Sequence, residues 1–61
     1  MFVMFTSRSL NVYVNSDKVE TFTEGSHGSI LMMSSGERLG VNEKIEDVFK
    51  VLDMARKKES V

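Results

Sequence analysis

NEKIEDVFKVLDMARKK, residues 42–58, places Ile45, Val48, Phe49, Leu52 and Ala55 at intervals of three and four. Apolar residues at that spacing line one side of an α-helix, so the stretch predicts a helix over about 43–58 with one face to bury. Val51 falls at the edge of the stripe, and Met54 points the opposite way. The ends agree with the pattern. Asn42 suits the N-cap, where its side-chain oxygen would accept from the free amides of the first turn. Glu43, Glu46 and Asp47 near the start, and Arg56, Lys57 and Lys58 near the end, match the signs the helix dipole favours. Glu46 with Lys50 and Asp53 with Lys57 are four apart, each pair worth about 0.2–0.5 kcal/mol. Residues 59–61 are expected to fray.

Whatever covers that helix has to come from the residues before it, and those read as strands. Leu10-Asn11-Val12-Tyr13-Val14-Asn15 alternates strictly, setting Leu10, Val12 and Val14 against Asn11, Tyr13 and Asn15. Val19 to Glu24 alternates again, with Val19, Thr21 and Thr23 opposite Glu20, Phe22 and Glu24. The apolar runs at 2–6 and 29–34 and the short stretch 38–41 complete a set of four or five strands. Between them lie turn-forming groups: Ser7-Arg8-Ser9, Asn15-Ser16-Asp17-Lys18, the Gly25–Ser29 loop and Ser34-Ser35-Gly36-Glu37. Gly40 inside the last strand suggests a bulge or a close backbone approach. The expected fold is α+β, a small antiparallel sheet of four or five strands with one C-terminal amphipathic helix, in a single domain spanning 1–61.

A chain of 61 residues buries only about 60% of its unfolded surface, so its core is thin. Small domains usually add disulfides, a metal or self-association. With no Cys and one His, neither a disulfide nor a Cys/His metal site can be built in one chain, which leaves self-association or a larger partner. No cofactor is implied. The net charge of −1 removes any broad drive toward nucleic acid or anionic membrane. The run Met1–Phe5 is too short for a signal peptide, and nothing approaches the roughly 18 apolar residues of a membrane span. A cytoplasmic protein without membrane insertion is the expectation.

Few residues invite chemistry. His27 sits between glycines; as a functional group it would be a contact or a pH-sensitive switch, and the plainer reading, an exposed loop residue, is favoured. The serines fall in turns and at strand and chain ends, and a sheet with one helix has little room for a catalytic pocket. The Gly25–Ser29 loop matches no phosphate-binding pattern. The excess is apolar instead. One helix covers one sheet face, which would leave Tyr13, Phe22, Leu31 and Met33 on the other, with Met54 on the outer side of the helix. That composition suits a partner-binding surface. The competing arrangement closes the strands into a small barrel around their own side chains.

The order of elements resembles a family. Val12-Tyr13-Val14-Asn15, then Val19-Glu20-Thr21, an apolar strand, Ser35-Gly36-Glu37 and Val41-Asn42-Glu43-Lys44-Ile45-Glu46-Asp47-Val48 are similar to segments of the FlbD-type small proteins of flagellar and swarming-motility operons. The resemblance runs from Val12 to Arg56 and implies a β-rich body, a motility accessory role and no catalytic residues. Where the family has a threonine-arginine-leucine-asparagine-glycine turn, this chain has Thr6-Ser7-Arg8-Ser9-Leu10, and the Gly25–Ser29 loop is its own.

The functional expectation is a non-enzymatic protein-interaction or regulatory protein, a homo-oligomer such as a dimer, acting by covering a surface on a larger protein partner. A motility accessory protein and a phage-encoded inhibitor are two versions of it. The alternative is a dimeric nucleic-acid-binding regulator using a patch of Arg8, Arg38, Arg56, Lys57 and Lys58, with Tyr13 or Phe22 for stacking.

Overall fold

A computed structural model describes residues 1–59, with side chains through Lys57. Strands β1 (Phe2–Ser7) and β2 (Leu10–Asn15) form an antiparallel pair, followed by a 3-10 helix over Ser16–Lys18. Then come β3 (Val19–Glu24), β4 (Ser29–Met33), β5 (Arg38–Val41) and helix α1 (Ile45–Glu59). The class is α+β with a C-terminal helix. The strands, however, divide into two antiparallel sheets, β1-β2 and β3-β4-β5, where the sequence suggested one.

The division follows from how the sheets use their inner faces. Val3 and Phe5 face Val14 and Val12 across the first pair; Phe22, Leu31 and Leu39 form one row across the second sheet. Both sets join Val41 and Val48 in one apolar cluster, with Val19, Met33, Val51 and Leu52 packed around it. Phe5, Leu31 and Val48 are wholly buried, each contributing about 1.5–3 kcal/mol on leaving water. The two sheets therefore enclose their side chains between themselves and α1, nearer to the closed arrangement than to a sheet with a bare back.

One irregularity decides which side chains enter that core. The β3–β4 register jumps between Val19 and Thr21, leaving Glu20 as an extra residue. Strict alternation would put Val19 and Phe22 on opposite faces; a one-residue bulge puts them on the same one. Phe22, Leu31 and Met33 consequently face inward, and Leu31, expected at a contact surface, is 0% exposed.

A polar seam holds the sheets together. Asn42 donates its N–H to the Thr6 carbonyl at 2.7 Å. The Glu43 carboxylate accepts the Thr6 N–H at 3.0 and 3.1 Å and the Thr6 hydroxyl at 2.7 Å. Asn42 accepts from the Arg8 N–H through Oδ1 and donates to the Arg8 carbonyl through Nδ2. Those bonds fix Arg8, the first of two loop residues, at a φ of 57°, where a side chain costs about 1–2 kcal/mol. The expected helix cap thus serves a different purpose. The first turn begins later, with Asp47 and Val48 both donating to the Lys44 carbonyl, and Glu43 precedes the helix instead of starting it.

Two further expectations are corrected. Phe49, placed on the buried stripe, is 56% exposed and rests against Phe22 with ring centroids 6.4 Å apart. Gly40 has open space where a Cβ would stand, so no close approach explains it. Gly28 is the crowded glycine: a Cβ there would meet the Val41 carbonyl oxygen. The fraying expected at 59–61 falls largely outside the described residues; α1 itself reaches Glu59.

Candidate functional site

Pleating of β1 sends Val3 and Phe5 inward and Phe2 and Met4 outward. Met4 lies opposite Tyr13, and Phe2 opposite Asn15. Phe2, Met4 and Tyr13 are 68%, 47% and 67% exposed, so the outer face of the first hairpin carries an aromatic and methionine patch. It is held in place at the N-terminus. The Met1 carbonyl accepts from the Ser16 N–H at 2.8 Å and from the Ser16 hydroxyl at 2.9 Å, while the terminal ammonium lies 3.5 Å from Asp17. A patch on a paired, fastened strand loses little backbone freedom when it is covered.

Of the five expected contact residues, only Tyr13 belongs to this surface. Leu31 is core, Phe22 and Met33 are half-buried beside it, and Met54 is exposed on the outside of α1. Phe2 and Met4 are the residues the sequence reading passed over. In Met1–Phe5 every side chain is apolar, so no polar residue marks which parity faces water. The signal lay in β2, whose alternation fixes the parity of its partner strand once the two-residue loop sets the register.

The basic residues are dispersed. Arg8 sits at the hairpin tip in a shallow depression shared with Leu10, His27, Ile30 and Asn42. Arg38 stands on the outer face of β5 opposite Met32. Arg56 lines a groove of about 240 Å³ between the 3-10 helix and α1, together with Asp17, Phe22, Phe49 and Asp53. Lys57 pairs with Asp53 at 3.1 Å, as their spacing anticipates. The side chain of Lys58 lies outside the described residues. The cations are spread over a turn, a strand and a helix, and two of them stand beside carboxylates.

His27 is exposed in the loop after β3, which is closed by a 2.8 Å bond from the Gly25 N–H to the Gly28 carbonyl. Two positions on, Ser29 ends the loop and opens β4, as the run 29–34 predicts; it is buried, donating its hydroxyl to the Glu43 carbonyl at 2.7 Å. Among the described residues there is no group of three or more His, Cys, Asp or Glu arranged to hold a metal, and no helix long and apolar enough to cross a membrane. Comparison with protein-family models, with curated proteins and with solved structures returns no match.

Proposed function

We propose that this chain is a non-enzymatic protein-interaction or regulatory domain that lays the outer face of β1 and β2 against a larger protein. The observation that carries the reading is the Met4–Tyr13 pair with Phe2 beside it, three large apolar side chains left in water on a rigid two-stranded surface. Aromatic and methionine side chains are what interfaces concentrate, and covering them recovers the burial that a small core lacks. The setting is cytoplasmic, and the partner's matching surface is aliphatic or aromatic. A motility accessory protein or a phage-encoded inhibitor would both work in this way.

The test compares the full chain with a Met4→Asp/Tyr13→Asp variant, both shown to be folded by circular dichroism, as immobilised bait in bacterial cytosolic extract at about 50 and 200 mM salt. The expected result is one protein retained in stoichiometric amount at both salt concentrations and lost with the variant. Retention unchanged by the variant would refute the reading. Capture of nucleic acid that disappears at the higher salt and with Arg8→Ala/Arg38→Ala would establish the alternative regulator instead, since phosphate contacts weaken steeply with salt.

A further inference from the structure

The sheets have four outer edges, and three of them are partly covered or guarded against pairing. The edges of β1 and β5 face each other at the seam, where Thr6 is bonded to Asn42 and Glu43. The edge of β3 carries Glu20 and Glu24 and is broken by the bulge at Glu20, devices that keep a strand from pairing with another chain. The edge of β2 has none of them. Leu10-Asn11-Val12-Tyr13-Val14-Asn15 contains no charge, no Pro and no bulge, and no strand lies on its far side among the described residues.

The seam also reveals which main-chain groups of β2 are free. Thr6 gives its N–H to Glu43 and its carbonyl accepts from Asn42, so both point away from β2. In an antiparallel ladder the residue opposite Thr6, which is Asn11, then points away from β1. With a period of two, so does Tyr13, and so does the N–H of Asn15. The Ser16 N–H bond to the Met1 carbonyl, at the other end of the hairpin, has the parity this alternation requires.

We infer that β2 pairs antiparallel with β2 of a second copy of this chain about a two-fold axis at Tyr13. In that register Tyr13 of each copy exchanges N–H and carbonyl with Tyr13 of the other, and Asn11 faces Asn15 on both sides. The register is self-complementary, as a two-fold interface must be. The free groups and the exposed side chains fall on the same residues, because Tyr13 and Asn11 also point outward from the core. Pairing makes one four-stranded sheet with Met4, Tyr13, Tyr13 and Met4 in a row across its outer face. The inference deepens the function proposed above by doubling the surface offered to the partner, but it stands on the edge of β2 and not on that partner.

Sedimentation equilibrium of the full chain over a range of concentrations, with amide exchange by NMR, tests the pairing. The expected result is a dimer in which the Tyr13 N–H gains protection with concentration, while the Val12 and Val14 amides, already bonded to β1, do not change. Tyr13→Pro removes the outward donor and no β1–β2 bond, so it is expected to be monomeric; Tyr13→Val keeps the donor and is expected to stay dimeric. A wild-type chain that is monomeric throughout would overturn the inference. So would loss of the dimer in both variants without Tyr13 protection in the wild type, which would assign association to side chains on the outer face. The capture experiment is scored separately: an intact dimer that captures nothing sinks the proposed function and leaves the pairing standing.

Discussion

On the outside of the first hairpin stand Phe2, Met4 and Tyr13; on the outside of the second sheet stand the rows Thr23, Ile30, Gly40 and Thr21, Met32, Arg38. Both surfaces belong to antiparallel strands of similar length, and both sheets turn Val and Phe inward, joined by Leu31 and Leu39 in the second. What differs is the chemistry offered to water. The second sheet breaks up its outward apolar residues, Ile30 and Met32, with threonines, an arginine and a glycine, and of the two only Ile30 is exposed, at 37%. The first places its largest side chains next to one another. The core cluster draws on neither outer face, and that contrast is what the proposed binding role rests on.

The strongest way to break the contrast is from within. Leu31→Ala, on the inner row, is expected to cost about 2–5 kcal/mol in urea unfolding, a large share of the ~3–9 kcal/mol available to a domain of this length. Had Leu31 been a contact residue on an outer face, the cost would stay within ~0.5 kcal/mol. Glu43→Ala leaves the Thr6 N–H and hydroxyl without their charged acceptor and is expected to cost about 1.5–3 kcal/mol, measured in the same way. Gly40→Thr sharpens the comparison from the opposite side. Its Cβ enters open space beside Ile30, and a β-branched residue is expected to stabilise by about 0.5–1 kcal/mol, raising the melting temperature. Tyr13→Asp, on the exposed patch, is expected to change stability by no more than ~0.5 kcal/mol at a concentration where the chain is monomeric, while association is lost. A larger loss would mean that the patch supports the fold itself.

The sequence made some of this legible. The spacing in 42–58 marks the helix, and the alternation in 10–15 coincides with β2, because a polar residue stands at every outward position except Tyr13. The inner and outer sets of β3 were misread because one extra residue, Glu20, reverses the parity of everything after it, and nothing local announces a bulge. Phe49 satisfies helical spacing yet lies beyond the edge of the surface that α1 covers, where it meets only part of Phe22. Asn42 has the chemistry of a cap. It is claimed instead by the hairpin tip, 34 positions earlier, a tertiary bond that outcompetes the local one. For the surface itself, Tyr13 was visible through alternation, whereas Phe2 and Met4 were hidden in a run without polar punctuation.

The Thr6–Glu43 contact has a consequence in time as well as in space. The strand pairings are local, closing at Ser7–Leu10, Glu24–Ser29 and Met32–Arg38, and hairpins of that kind form in about 1–10 μs. Thr6 and Glu43 are 37 positions apart, so joining them means closing most of the chain into a loop, at an entropic cost that the short turns avoid. The seam is then expected to form after the pieces it joins. A contact formed late leaves the folding rate nearly unchanged when it is removed and speeds unfolding instead. Glu43→Ala is therefore expected to speed unfolding more than it slows refolding, read from the two arms of a urea chevron.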